Sequence, residues 1–120
     1  MPSLQWIQHK GKRILYTDIA SQKTEELLDI VERLRLVIEK EPSNSVRCIC
    51  DVTGGKTNPE MMQALKDFAK YIDPYMKIIV LLGIEGLKTI LFNSVLMVTR
   101  SKKLVLKNSK EEAMDWLAEQ

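Results

Sequence analysis

The chain has 120 residues, 45% hydrophobic and 28% charged, enough for one domain with its own core and no need of disulfides or metal. Eighteen basic and sixteen acidic residues leave a formal net charge of +2, too balanced for the basic stripe that nucleic-acid binding requires. The longest apolar run, Ile78 to Leu82, falls far short of a membrane span.

In chain order, "LQWIQ" and "RILYTDIA" are β-rich runs separated by "HKGK", the pattern of a hairpin whose difficult backbone angles fall to Gly11. The stretch that contains the first of them, "MPSLQWIQHKGKR", has no apolar core of a secretory leader. Thr24 then precedes Glu25 and Glu26, predicting an N-cap with first-turn acids at the positive end of a helix. Leu27, Ile30, Val31, Leu34 and Ile38 share one face of that helix before Pro42. "VRCICDV" is a short strand, and Asn58-Pro59 reads as the N-cap and first residue of a second helix. Met61, Leu65, Phe68, Ala69 and Ile72 form its apolar stripe.

"KIIVLLG" is the continuous apolar run of a strand covered on both faces of a parallel sheet. A third helix is predicted from about Leu87 to Thr99, followed by a last strand, "KKLVLK". Ser109-Lys-Glu-Glu112 is a capping box opening a final helix with Ala113, Met114, Trp116 and Leu117. The order β-β-α-β-α-β-α-β-α predicts a single α/β domain over 1–120. Its mainly parallel sheet has about five strands, one antiparallel strand from the hairpin, right-handed crossovers and four helices.

The loop "DVTGGKTNPE" carries the most suggestive motif, since "GGKT" resembles the tail of a phosphate-binding loop. Such a loop needs Gly, four residues, then Gly-Lys-Ser/Thr, so that its backbone amides wrap the phosphates. With Gly55-Lys56-Thr57 as the tail, the first glycine belongs at position 50, which is Cys50 inside a strand. Pro59 also starts the helix two residues after Thr57, where a true phosphate loop already has its lysine and threonine in the helix. These departures argue against nucleotide hydrolysis.

The element order, with "CICDVTGG" leading into a helix, "NPEMMQALKDFAKYIDPYMK", "LGIEGLKTILFNSVL" and the closing "EEAMDWL", resembles the STAS domain. Within it, the likeness is to the sporulation anti-anti-sigma-factor (SpoIIAA-like) branch, and it covers nearly the whole chain. The resemblance implies a regulatory domain whose loop after a central strand holds a phosphorylatable Ser or Thr that switches binding to a partner kinase. Thr57 stands nearest that place, with Thr53 the second candidate. The family's usual Asp-Ser-Ser/Thr-Gly run is absent, and Thr-Asn-Pro stands there instead.

Other residues carry alternative readings. Cys48 and Cys50, two apart on a strand, point to one face and read as small buried thiols in a reducing cytoplasm. The only histidine, His9, reads as a solvated turn residue, too distant to complete a metal site or serve as a catalytic base. Asp18, Asp51 and Glu85 stand near strand ends, where open α/β sheets place ligands, so an enzyme using strand-end carboxylates is one alternative. On the predicted third helix Leu87, Ile90, Leu91, Val95 and Val98 share one face, while Phe92 and Leu96 project from nearly the opposite side, near Lys88, Thr99 and Arg100. That second apolar patch suggests burial under a neighbour, a homodimer seam, or a groove for a partner or lipid tail. Lys102 and Lys103 extend the basic cluster begun by Arg100.

The expectation is a cytoplasmic, non-enzymatic protein-interaction module with no cofactor and no metal, contacting a protein partner and not nucleic acid or the membrane interior. Its contact surface is predicted at Asp51, Gly54, Gly55, Lys56, Thr57 and Asn58, with Phe92, Leu96 and Arg100. A small-molecule or lipid carrier is the other alternative, and it calls for an apolar pocket beneath the predicted third helix.

Overall fold

A computed structural model of the chain describes residues 3–20, 23–54, 58–83, 103–107 and 109–120. Strands β1 (Ser3–His9) and β2 (Lys12–Asp18) form the expected hairpin, turning through Lys10 (φ 50°) and Gly11 (φ 80°). The chain continues through α1 (Thr24–Ile38), β3 (Val46–Asp51), α2 (Pro59–Ile72), a single 3-10 turn at Asp73–Tyr75, and β4 (Met76–Leu82). It ends with β5 (Leu104–Lys107) and α3 (Lys110–Ala118). The five strands lie in sequence order, β1-β2-β3-β4-β5. Only the β1/β2 pair is antiparallel; β2/β3, β3/β4 and β4/β5 are parallel. This is the mixed α/β sheet expected from the sequence, with three α-helices among the described residues. The helix predicted over 87–99 lies outside them.

Alternation along the strands divides the core in two. Leu15, Cys48 and Cys50 face the side where Leu27, Ile30, Leu34 and Ile38 of α1 and Met61, Phe68 and Ile72 of α2 are buried. The interleaved Ile14, Ile49, Val80 and Leu82 face the other side, against Ala113 and Leu117 of α3. Val31 and Leu65 pack at the edge of the first layer. Because strand order advances one strand per crossover, α1 and α2 lie side by side on one face, as right-handed connections require. Ser109 caps α3 as expected, its hydroxyl accepting from the Glu112 amide at 3.2 Å.

Two local expectations are corrected. Thr24 is the first residue of α1 and not its N-cap; Lys23 holds that position in extended conformation with no side-chain cap. The Thr24 hydroxyl instead accepts a hydrogen bond from Asn58 Nδ2 at 2.9 Å. His9 closes β1 and is not a solvated turn residue: its Nε2 lies 2.7 Å from Asp115 Oδ1 and ties the hairpin to α3. Lys10 adds a second cation to Asp115 at 3.1 Å. Together the two hold that carboxyl below the ordinary carboxylate value, His9 contributing most.

Candidate functional site

Register brings the carboxyl ends of the strands to one level. Asp18 pairs with Asp51, Asp51 with Leu82, and Leu82 with Lys107. In an open α/β sheet this rim is where ligands and partners are met. Two backbone bonds carry the pairing past the strand ends, Ile19 N to Asp51 O and Val52 N to Leu82 O, each 3.0 Å. The loop after β3 therefore leaves the sheet from a fixed base.

Asp51 organises that base. Its Oδ1 accepts from the Thr53 amide at 2.9 Å, a local side-chain-to-backbone turn. Its Oδ2 accepts from the Tyr16 hydroxyl at 2.9 Å. The Lys110 ammonium, on the first turn of α3, sits 4.1 Å from the Tyr16 ring centre and adds an attractive charge at Asp51. Burial pushes the Asp51 carboxyl up, but Thr53, Tyr16 and Lys110 together outweigh it and hold it below the ordinary value. Tyr16 is pushed up to about 12, first by burial, then by its hydrogen bond to Asp51 and the charges of Asp51 and Asp18. Asp18 turns its own Oδ1 to the Ala20 amide at 2.9 Å. Both strand-end carboxylates thus have structural partners, and among the described residues no group of three or more His, Cys, Asp or Glu could hold a metal ion.

These couplings predict a pH dependence. A carboxyl depressed in the folded state adds stability above its unfolded pKa of about 4, lost as pH falls through the folded value. A phenol raised to about 12 adds stability below its unfolded pKa of about 10, lost as pH climbs toward 12. Asp51→Asn should therefore narrow its melting-temperature gap to the wild type as pH drops below about 4. Ultraviolet titration of the same variant should show Tyr16 ionising at lower pH than in the wild type. An unmoved tyrosine titration would show that the two side chains are not coupled.

Beyond Asp51 the loop runs through Thr53 and Gly54, both exposed, Gly54 with φ 77°. Thr53 backs onto Gly83 closely enough that a Cβ there would lie 2.1 Å from Thr53 Oγ1. Gly55, Lys56 and Thr57 lie outside the described residues. At the far side Asn58 caps α2, Oδ1 accepting from the Met61 amide at 2.8 Å with Pro59 following, as the sequence predicts. Its Nδ2 contact with Thr24 ties the starts of α1 and α2 together. Asp51, Thr53, Gly54 and Asn58 are thus brought to one rim, whereas Phe92, Leu96, Arg100 and Glu85 lie outside the described residues. Sequence reasoning missed Tyr16 and Lys110; the available signal was Tyr16 standing two residues before Asp18, on the same face of its strand.

Behind the rim, on the α2 side, a small apolar pocket of about 60 Å³ is lined by Ile19, Cys50, Val52, Phe68, Ile79 and Leu81, among others. Cys48 and Cys50 are buried free thiols, as expected, with sulfurs 3.7 Å apart. Burial and the neighbouring Cys50 raise the Cys48 pKa, Cys50 contributing most. No helix among the described residues is long and apolar enough to cross a membrane.

A solved structure described as an anti-sigma-factor antagonist (STAS) domain protein from Planctomyces limnophilus superimposes with a TM-score of 0.61, covering 96% of this chain and 97% of that one. The chain has the STAS fold. Sequence identity to that protein is 14%, so the likeness is one of fold. No protein-family model matches the sequence, and no curated protein matches it. In STAS terms, the rim built on Asp51 is the loop after a central strand, leading into the helix that Asn58 caps.

Proposed function

We propose that this STAS-fold chain is a non-enzymatic regulatory module of the cytoplasm that works by protein-protein contact through its Asp51–Asn58 loop. The observation that carries the reading is the likeness, over nearly the whole chain, to a protein described as an anti-sigma-factor antagonist. The loop's anchored ends support it: Asp51 pins the departure from β3 and Asn58 pins the entry into α2. Fixing the two ends of a loop lowers the entropic cost of ordering it against a partner. The proposed contact residues are Asp51, Gly54, Gly55, Lys56, Thr57 and Asn58, extended by Phe92, Leu96 and Arg100, where a second copy is an alternative occupant.

Of the two phosphorylation candidates, Thr57 is the better. The Thr53 side chain lowers the pKa of Asp51 and stands against Gly83, so a phosphate of nearly two negative charges there would face a carboxylate. The carrier reading calls for an apolar pocket beneath the predicted third helix, which lies outside the described residues; the apolar pocket behind the rim, about 60 Å³, is smaller than the roughly 300–1,000 Å³ of small-molecule sites.

Affinity capture from the native host, with phosphopeptide mapping of the recovered chain, tests the proposal. A specific protein should co-purify with the wild type and be lost with Thr57→Asp and Lys56→Glu. Phe92→Lys should leave the fold intact and remove that partner or self-association. Capture of the same partner by all three variants would overturn the assigned surface, and an unmodified Thr57 under all growth conditions would overturn the switch.

A further inference from the structure

The described sheet ends in two edge strands, and they differ. β5 is four residues long and closes on Lys107, the short charged edge with which native sheets discourage further pairing. β1 runs for seven residues, Ser3–His9, with no proline, no lysine and no bulge in its register with β2. Its one titratable side chain, His9, is held by Asp115. Among the described residues no other backbone pairs with its outer side.

The hairpin decides which backbone groups stand on that side. Its two-residue turn, with positive φ at Lys10 and Gly11, is closed by His9 and Lys12, a pair that exchanges both amide-to-carbonyl bonds. Alternation then directs the groups of Ile7, Gln5 and Ser3 inward to β2 as well. The Thr17 hydroxyl, donating to the Ser3 carbonyl at 2.8 Å, agrees with that phase. The N–H and C=O groups of Leu4, Trp6 and Gln8 therefore point away from the sheet. The strand that carries them is held firmly. Leu4 and Trp6 are half-buried against the α1 layer. The Arg13 guanidinium, bonded to Glu41, lies 3.9 Å over the Trp6 ring.

We propose that β1 pairs with β1 of a second copy of this chain, antiparallel about a two-fold axis at Trp6, joining the two sheets into one. Of the antiparallel registers that match outward residues with outward residues, this one uses Leu4, Trp6 and Gln8 together. Leu4 stands opposite Gln8 and Trp6 opposite itself, each pair exchanging two bonds. The same register sets Gln5 against Ile7 and Ser3 against His9, so it opposes no like charges. Opposite residues share a face, so the α1 sides of both copies lie together and the two Trp6 side chains form a cross-strand aromatic pair. A second copy fits better than an open-ended stack, because a two-fold contact closes on itself and leaves only the short β5 edges outward. The proposal does not depend on the function proposed for the Asp51–Asn58 loop.

Sedimentation velocity over a dilution series, with amide hydrogen exchange at both ends of it, tests the pairing and its register. The expected result is a monomer–dimer equilibrium in which the Leu4, Trp6 and Gln8 amides gain protection as the dimer fills. Gln5 and Ile7, already bonded to β2, should change little. Gln8→Pro removes an outward donor at an edge position that tolerates proline, twice per dimer, and should weaken association about tenfold or more. Gln5→Lys, at an exposed position, sets two lysines diagonally across the axis and should also weaken it. Mixing that variant with Gln5→Glu should restore a heterodimer. Should Gln8→Pro fail to fold, the Gln5 variants carry the test. A monomer at every concentration up to about 1 mM, a dimer undiminished by folded Gln8→Pro and Gln5→Lys, a dimer lost with Phe92→Lys, or equal protection along the whole strand would each overturn the proposal. Protection of Leu4, Trp6 and Gln8 only in a complex with another protein would assign the edge to a foreign strand and overturn self-pairing.

Discussion

Replacing Gly83 with alanine should destabilise the protein by about 3 kcal/mol or more, well beyond what alanine costs at its other turn glycines. Two independent terms add at this position. Gly83 has φ 80°, a left-handed conformation that costs a residue with a Cβ roughly 1–2 kcal/mol. An added Cβ would also lie 2.1 Å from Thr53 Oγ1 and 2.7 Å from both the Thr53 Cα and amide nitrogen. The hydroxyl can rotate away, but the backbone atoms cannot move without disturbing the Thr53 amide bond to Asp51. Overpacking against fixed backbone adds about 1–3 kcal/mol. Gly11 and Gly54 supply the controls, since both have positive φ yet nothing within 4 Å of an added Cβ. Their alanine variants should lose only the conformational term. Thermal melts of the three variants check the ordering, and an equal loss at all three would show that the approach of Gly83 to Thr53 carries no weight. Since Thr53 lies within the proposed Asp51–Asn58 contact loop, Gly83→Ala should weaken partner capture more than its stability loss alone explains.

That close approach shows where sequence reading reached its limit. The hairpin, the parallel strands, the Asn58-Pro59 start and the Ser109 cap were legible because each is written in a short local pattern: a turn glycine, an apolar run, a capping side chain. The argument against "GGKT" as a phosphate loop rests on spacing alone, and its Gly55, Lys56 and Thr57 lie outside the described residues. Thr24 was misassigned because Thr before two acids has the local look of a cap, while its hydroxyl is drawn to Asn58, 34 residues away. The same holds for His9, whose partner Asp115 lies 106 residues on. The Tyr16–Asp51 pair depends on which strands are neighbours and in what register, which no single run of residues encodes. The candidate site was therefore half visible: its loop could be read, but the hydroxyl and ammonium that fix its base could not.

The second large effect is expected at Leu117. Apart from the half-buried Met114 and Trp116, α3 reaches the core through only two fully buried side chains, Ala113 and Leu117. Alanine is too small to hold a helix by itself, so Leu117 is the anchor, packed with Ile14, Ile49, Val80 and Leu82. Leu117→Ala should cost about 2–5 kcal/mol, the transfer of the lost methyl groups plus the cavity left behind. Against a total stability of about 5–15 kcal/mol, this is a loss that a thermal melt reads easily. A nine-residue helix has little stability of its own, so α3 should lose amide-exchange protection before the sheet does. The consequence reaches the rim, because Lys110 is the first residue of α3 and its ammonium lies over Tyr16. With α3 loosened, Tyr16 loses burial, the largest cause of its raised pKa, and should titrate closer to an ordinary phenol. Met114→Ala removes a half-buried side chain from the same helix and should move both readouts much less. If Leu117→Ala melts like the wild type and leaves the tyrosine titration in place, α3 is not what holds Lys110 against the Asp51 base.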